Sequence, residues 1–149
     1  MRLWRISSFD DLLGTGGLNA DGRWHTRGRR IVYLADHPAS ALVEVLVHLE
    51  VDPDDLPNGY NILAVDLPDQ TEFGSIEVGN LPGDWLANPS ATRAMGDRWL
   101  AESRTALLRV PSAIVPFAFN WLLNPVHADS ATAVVAHVVP MPLDPRLLR

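Results

Sequence analysis

Residues 41–50 read ALVEVLVHLE, an apolar run with a carboxylate in its middle. Stepping by three and four places Leu42, Val45, Leu46 and Leu49 on one continuous stripe, the pattern of a core-facing helix. Glu44 and His48 fall four apart on the neighbouring stripe, beside Ala41. Asp36 or His37 is placed to cap this helix, and Pro38 suits its first turn. An isolated carboxylate with apolar residues on both sides is costly to bury unless something pairs with it. Glu44 therefore either points at solvent, as glutamates usually do, or finds partners elsewhere in the chain.

Upstream, LWRIS has strand character, with Trp4 and Ile6 on one face and Leu3, Arg5 and Ser7 on the other. A glycine-rich loop, DLLGTGGLNADGRW, leads to RRIVYLA (29–35), a short β-branched run that reads as a buried strand. Downstream of the helix, VDPDDLPNG is an acidic turn segment with two prolines. YNILAVDLP (60–68) alternates Ile62, Ala64 and Asp66 against Leu63, Val65 and Leu67, as a strand does. Residues 69–87 read as irregular. ANPSATRAMGDRWLAES (87–103) reads as a helix capped by Asn88, with Pro89 in first position and Met95 and Trp99 four apart. RTALLRVPSAIVP (104–116) reads as a strand, a break at Pro111-Ser112, and a second strand. NWLLNPVHADS (120–130) reads as loop-rich, its apolar residues exposed for an interface, and TAVVAHVVPM (132–141) as the last strand. This uneven order of strands and helices implies an α+β fold with a mixed β-sheet core, not a doubly wound parallel sheet.

With 149 residues, no repeats and no linker-like stretch, the chain is expected to be one compact domain spanning 1–149. A hydrophobic content of 47% against 20% charged residues fits a soluble globular protein. No run of eighteen apolar residues is present, and MRLWRISSFDD is not a signal peptide, so the expectation is a cytoplasmic protein with no membrane association. The absence of cysteine excludes thiol nucleophiles, disulfides and cysteine-ligated metals. All 12 cations are arginines, which excludes a Schiff-base lysine and a Walker-type phosphate loop. A net charge of −6 argues against direct nucleic-acid binding, although Arg23, Arg27, Arg29 and Arg30 form a local basic cluster.

The glycines of GTGGLNADG do not have dinucleotide-fingerprint spacing, and they lead from one strand into another. Glu44 and His48 have the spacing of two metal ligands but lack a third, and His25, His37, His127 and His137 are dispersed, so no metal site is expected. Ser112 has no nucleophile elbow; its hydroxyl is better read as fixed on a turn at a strand break. DGRWH, IVYLA and ALVEVLVH together are more suggestive. Arg23 offers a planar fork for a pyrophosphate, Tyr33 a ring that stacks on a heteroaromatic group, and Glu44 a carboxylate for a ribose hydroxyl and for positive charge on the sugar. These three demands coincide in NAD. Each residue also has a plain structural alternative: a surface cation, a core aromatic and a solvated acid.

The ordered set GRWHTRGRRIVYLADHPASALVEVLVHLE, VPSAIVP and NWLLNPVHAD resembles the RES domain, named for its Arg, Glu and Ser, over essentially the whole chain. One departure is Ala128, where the family often has proline after the histidine of its N-P-x-H segment. The resemblance implies an ADP-ribosyltransferase-like fold. It implies Arg23, Tyr33, Glu44 and Ser112 as catalytic residues, and Arg5 and Trp24 as additional NAD-binding residues. It implies NAD as a substrate, with no cofactor. The implied activity is that of a type II toxin that depletes NAD by cleaving its nicotinamide–ribose bond, through hydrolysis or phosphorolysis. Transfer of ADP-ribose to a cellular protein is the alternative, and a non-enzymatic interaction module with a Trp-rich surface is a third. The implied partner is an Xre-like helix-turn-helix antitoxin, alongside homo-oligomerisation.

Overall fold

The computed structural model describes residues 1–49 and 59–148, so residues 51–58 of the acidic turn segment lie outside the description. Strands β1 (Arg2–Ser7), β2 (Val32–Ala35), β3 (Asn61–Asp66), β4 (Phe73–Ser75), β5 (Leu107–Pro111), β6 (Phe119–Leu123) and β7 (Val134–Pro140) form one sheet in the order β4-β5-β6-β2-β1-β3-β7. Strands β4 and β5 run parallel, and the other neighbouring pairs among the described residues are antiparallel. With helices α1 (Pro38–His48) and α2 (Ser90–Glu102), this is the expected α+β class with a mixed sheet.

Alternation along the strands feeds two cores. Leu3, Val32, Leu34, Leu63, Val65, Leu107, Trp121 and Leu123 bury one face of the sheet. Leu108, Val110 and Leu122 bury the other, against Trp24, Trp85 and Trp99 from the loops and α2. Each fully buried Leu or Val contributes about 1.5–3 kcal/mol. These clusters correct two expectations. Trp121, Leu122 and Leu123 belong to a central strand and not to a loop with exposed apolar residues. The second strand expected after Pro111 is a turn instead, because the Ser112 hydroxyl accepts the amides of Ile114 and Val115 and so removes them from any ladder. The short β4 lies within 69–87, which had read as irregular.

Helix α1 begins where Pro38 predicts, and the cap is His37, whose Nδ1 accepts the Ala39 N–H at 3.1 Å. Helix α2 starts at Ser90, one residue later than expected: Pro89 occupies the cap position without a side-chain cap bond, and Asn88, expected as the cap, lies just outside, its Oδ1 accepting the Ser90 N–H at 3.1 Å. Helix α1 packs on β1 and β2. Its most buried residue is Ala41, with Leu42 and Val45 packed against Ile6 and Ala35. The small Ala41 side chain allows close approach to the sheet, so the inward face is rotated from the Leu42–Val45–Leu46–Leu49 stripe toward Ala41. That rotation carries Glu44 inward with it.

The sheet has a seam under α1. Among the described residues, Trp4 opposite Ala35 is the one register pair joining β1 to β2. By contrast, β1 pairs along its whole length with β3, and β2 along its whole length with β6.

Candidate functional site

Glu44 faces β5 and β6 from the middle of α1. Its Oε1 accepts hydrogen bonds from Asn120 Nδ2 at 2.6 Å and from Ser112 Oγ at 3.2 Å. Asn120 lies in β6 opposite Ala35 of β2 and Val110 of β5, so the sheet fixes its position from both sides. Ser112 closes β5, and its Oγ accepts the Ile114 and Val115 amides at 3.1 Å each while giving its own proton to Glu44. The bonding capacity of that hydroxyl is fully used, so it holds Glu44 and does not attack a substrate. Glu44 Oε2 accepts no hydrogen bond from the described residues. The carboxylate is thus clamped by one oxygen and presents the other.

Tyr33 lies two residues from this row on β2, half-buried against the tryptophan-lined core. Its hydroxyl accepts the Trp24 N–H at 3.2 Å and lies 2.7 Å from His25 Nδ1. His25 Nε2 lies 2.9 Å from the Ala20 carbonyl, which can only accept, so Nε2 carries the proton and Nδ1 accepts from Tyr33. Burial drives both groups toward neutrality. It raises the Tyr33 pKa well above the usual phenol value and lowers that of His25. A Cβ at Gly22 would come within 2.3 Å of the Tyr33 oxygen, so the DGRW turn closes over this pair only with glycine there. The Tyr33 hydroxyl is therefore committed to the loop, and its ring packs against the tryptophan-lined core.

Arg23 is half-buried, and its Nη1 donates to the carbonyls of Trp85 at 3.0 Å and Leu86 at 3.3 Å. Its carbonyl accepts the Thr92 hydroxyl at 2.7 Å, while Arg93 Nε donates to the Gly22 carbonyl at 2.8 Å. Helix α2 thereby holds the DGRW backbone. The other N–H groups of the Arg23 guanidinium have no partner among the described residues. Arg5 alternates with Trp4 and Ile6 and emerges on the opposite side of β1, where its Nη1 donates to the Asp11 carbonyl at 2.7 Å. Burial lowers its pKa, with the nearby Asp11 opposing that effect.

Glu44 and Ser112 are brought into direct contact; Arg5, Arg23 and Tyr33 stand apart, with no described hydrogen bond to that pair. Trp24 requires correction as a ligand-contacting side chain. It is 2% exposed, and α2 packs so closely on it that a Cβ at Gly96 would lie 1.7 Å from its carbonyl oxygen. Sequence reasoning missed Asn120, whose one signal is a polar side chain inside the apolar run FNWLL. Among the described residues, no three His, Asp or Glu side chains converge on a point where a metal would sit.

The RES domain family model matches residues 2–144. The chain belongs to the RES domain family. Within that family it is 46% identical to Toxin Res of Pseudomonas putida, covering 91% of this chain and 92% of that one. It is 38% identical to the Prs ADP-ribosylating toxin of a Sphingobium species, covering 98% and 96%. The crystal structure of the Mycobacterium tuberculosis MbcT–MbcA toxin–antitoxin complex contains a chain of the same fold, with a TM-score of 0.75 at 18% identity over 98% of this chain and 85% of that one. The RES fold observed here thus fits the ADP-ribosyltransferase-like class expected from the resemblance.

Proposed function

We propose that this chain is the toxin of a toxin–antitoxin pair and that it acts on NAD, breaking the bond between nicotinamide and ribose. The reading rests on the Glu44 carboxylate, with Oε1 fixed by Asn120 and Ser112 and Oε2 left for a ligand. Similarity to Toxin Res and to an ADP-ribosylating toxin supports it. As the bond breaks, its electron pair passes to the pyridinium nitrogen, nicotinamide leaves neutral, and the sugar becomes oxocarbenium-like. Glu44 Oε2 takes a ribose hydroxyl and faces the developing positive charge, an interaction stronger in the transition state than in the ground state. Arg23 supplies donors for the pyrophosphate, and the Tyr33 ring packs on the nicotinamide or its ribose; Arg5, on the opposite face of the sheet from Glu44, has no part in this assignment. Water or phosphate then bonds to the sugar carbon and gives up a proton. NAD is consumed as substrate.

Transfer to a protein acceptor is the second reading, favoured by the 38% identity to the Sphingobium ADP-ribosylating toxin. The interaction-module alternative loses its main support, because Trp24, Trp85, Trp99 and Trp121 are all in the core. An Xre-like helix-turn-helix antitoxin is the proposed partner and carries the DNA contact; the toxin–antitoxin complex of the structural neighbour supports such a pairing. Cytoplasmic action and self-association complete the proposal. Among the described residues no helix is long and apolar enough to cross a membrane.

The test incubates purified protein with NAD, with and without phosphate and with a cell extract supplying protein acceptors. Free nicotinamide and the mass of the sugar product are followed. Nicotinamide release with ADP-ribose, its phosphate or a modified protein identifies the acceptor. Intact NAD in all three mixtures, with folded and antitoxin-free protein, overturns the proposal. Within it, Arg23→Ala raises KM more than it lowers kcat, as expected for a group that binds ground and transition states alike.

A further inference from the structure

We infer that Asn120, and not Ser112, is the principal positioning residue for Glu44, and that Ser112 acts mainly as the lock of the 112–118 turn. This rests on the NAD-cleaving reading above for its catalytic consequence, but the side-chain pairing itself does not.

The two donors to Glu44 Oε1 are unequal. Asn120 Nδ2 approaches to 2.6 Å, the short distance of a hydrogen bond to a charged acceptor, whereas Ser112 Oγ stands at 3.2 Å. The Ser112 oxygen is divided among three tasks, since it also accepts the Ile114 and Val115 amides at 3.1 Å each. Its backbone adds a third tie to the same turn, with the Ser112 N–H donating to the Ala118 carbonyl at 2.9 Å. Asn120 has no other side-chain hydrogen bond among the described residues. It sits in the interior of β6, flanked in register by Ala35 and Val110, and is 9% exposed. Asparagine is disfavoured inside strands, and a buried amide is costly without a partner. The Glu44 carboxylate is that partner. The arrangement is reciprocal: the carboxylate offsets the burial of the amide, and the amide fixes which oxygen is turned away from solvent. With Oε1 held by the sheet, Oε2 is the oxygen left to the ligand. Loss of the Ser112 hydroxyl loosens a turn whose Ile114, Val115 and Phe117 side chains are exposed; loss of the Asn120 amide frees the carboxylate to rotate.

The experiment compares Asn120→Ala, Ser112→Ala and Asn120→Asp for nicotinamide release from NAD, alongside NMR of the Asn120 side-chain amide. Asn120→Ala is expected to lower kcat about 10- to 100-fold with KM within about threefold, the scale of one hydrogen bond to a charged group. Ser112→Ala is expected to lower kcat less and the unfolding midpoint more. In Asn120→Asp the new carboxyl must keep its proton to donate to Glu44, so turnover is expected to fall as pH rises over a range where the wild type is flat. One amide proton of Asn120 is expected downfield in the wild type and at its ordinary position in Glu44→Ala. A folded Asn120→Ala with kcat within twofold of the wild type overturns the inference, as does a larger kcat loss in Ser112→Ala. If the wild type leaves NAD intact, the NAD reading fails, and the amide signal alone decides the pairing: no change in Glu44→Ala overturns it.

Discussion

Glu44→Gln separates charge from geometry at the point where the proposed chemistry takes place. Glutamine keeps a side-chain oxygen at the place of Oε1, so Asn120 Nδ2 and Ser112 Oγ, at 2.6 and 3.2 Å in the native protein, retain their acceptor. The two bonds lose their charge assistance, which costs about 1 kcal/mol. The unfolding midpoint should therefore move by only a few degrees, and lost activity is not lost folding. The catalytic cost is larger. A carboxylate about 4 Å from a developing unit charge is worth about 4 kcal/mol at an effective dielectric constant of about 20. Removing one well-placed transition-state partner typically costs about 3–4 kcal/mol. The variant should turn NAD over about 100- to 1,000-fold more slowly at saturation, with KM within about threefold because glutamine still holds the ribose hydroxyl. Initial rates of nicotinamide release by chromatography, with circular dichroism to confirm folding, give the comparison. A folded Glu44→Gln protein turning over within about fivefold of the wild type would refute the electrostatic role.

Other perturbations test the supports of the site. Tyr33→Phe leaves His25 Nδ1 and the Trp24 N–H without their shared partner, so urea denaturation should show a loss of about 1–3 kcal/mol; a change below about 0.5 kcal/mol would be inconsistent with the network. His25 is 3% exposed, and burial holds its pKa below the ordinary 6.5. The unfolded chain takes up a proton there that the folded chain refuses, so this stability is present above pH 6.5 and is lost as pH falls through the lowered folded value. The urea midpoint should decline on acidification from about pH 7 to 5.5 and decline less steeply in His25→Asn; equal slopes would contradict the assignment. Phe117 is fully exposed with a φ of 67° in the left-handed region, so Phe117→Gly should raise stability by about 1 kcal/mol in a thermal melt.

The sequence revealed those parts of the molecule where one face is wet and the other dry. Alternation in LWRIS and YNILAVDLP located β1 and β3, and Pro38 marked the start of α1, whereas the start of α2 fell one residue beyond the expected Pro89. Strand β4 was hidden because FGS is short and largely exposed, and only its pairing with β5 makes it a strand. AIVP after Ser112 has strand-forming residues, yet a serine hydroxyl two and three residues away takes its amides. The site divided in the same way. Glu44 stood out because a carboxylate interrupted an apolar run, whereas Asn120 was read as part of a loop because its compensating partner lies 76 residues away in sequence. The orientation of α1 was equally illegible: composition favoured the leucine stripe, and the close fit of Ala41 against the sheet decided otherwise.

The single residue pair between β1 and β2 bears on how the molecule comes apart. Strands β1, β3 and β7 lie on one side of that seam and β2, β4, β5 and β6 on the other, so the chain is stitched across it repeatedly. Neither side is a continuous length of polypeptide, and neither can be cut free as an autonomous fragment. Leu3, Leu63 and Val65 from one side share a core with Val32, Leu107 and Trp121 from the other. The line of sparsest hydrogen bonding is thus not a boundary between folding units. Interleaving of the thread ties both halves into one cooperative transition, and the carboxylate-bearing helix lies across the stitched line like a splint.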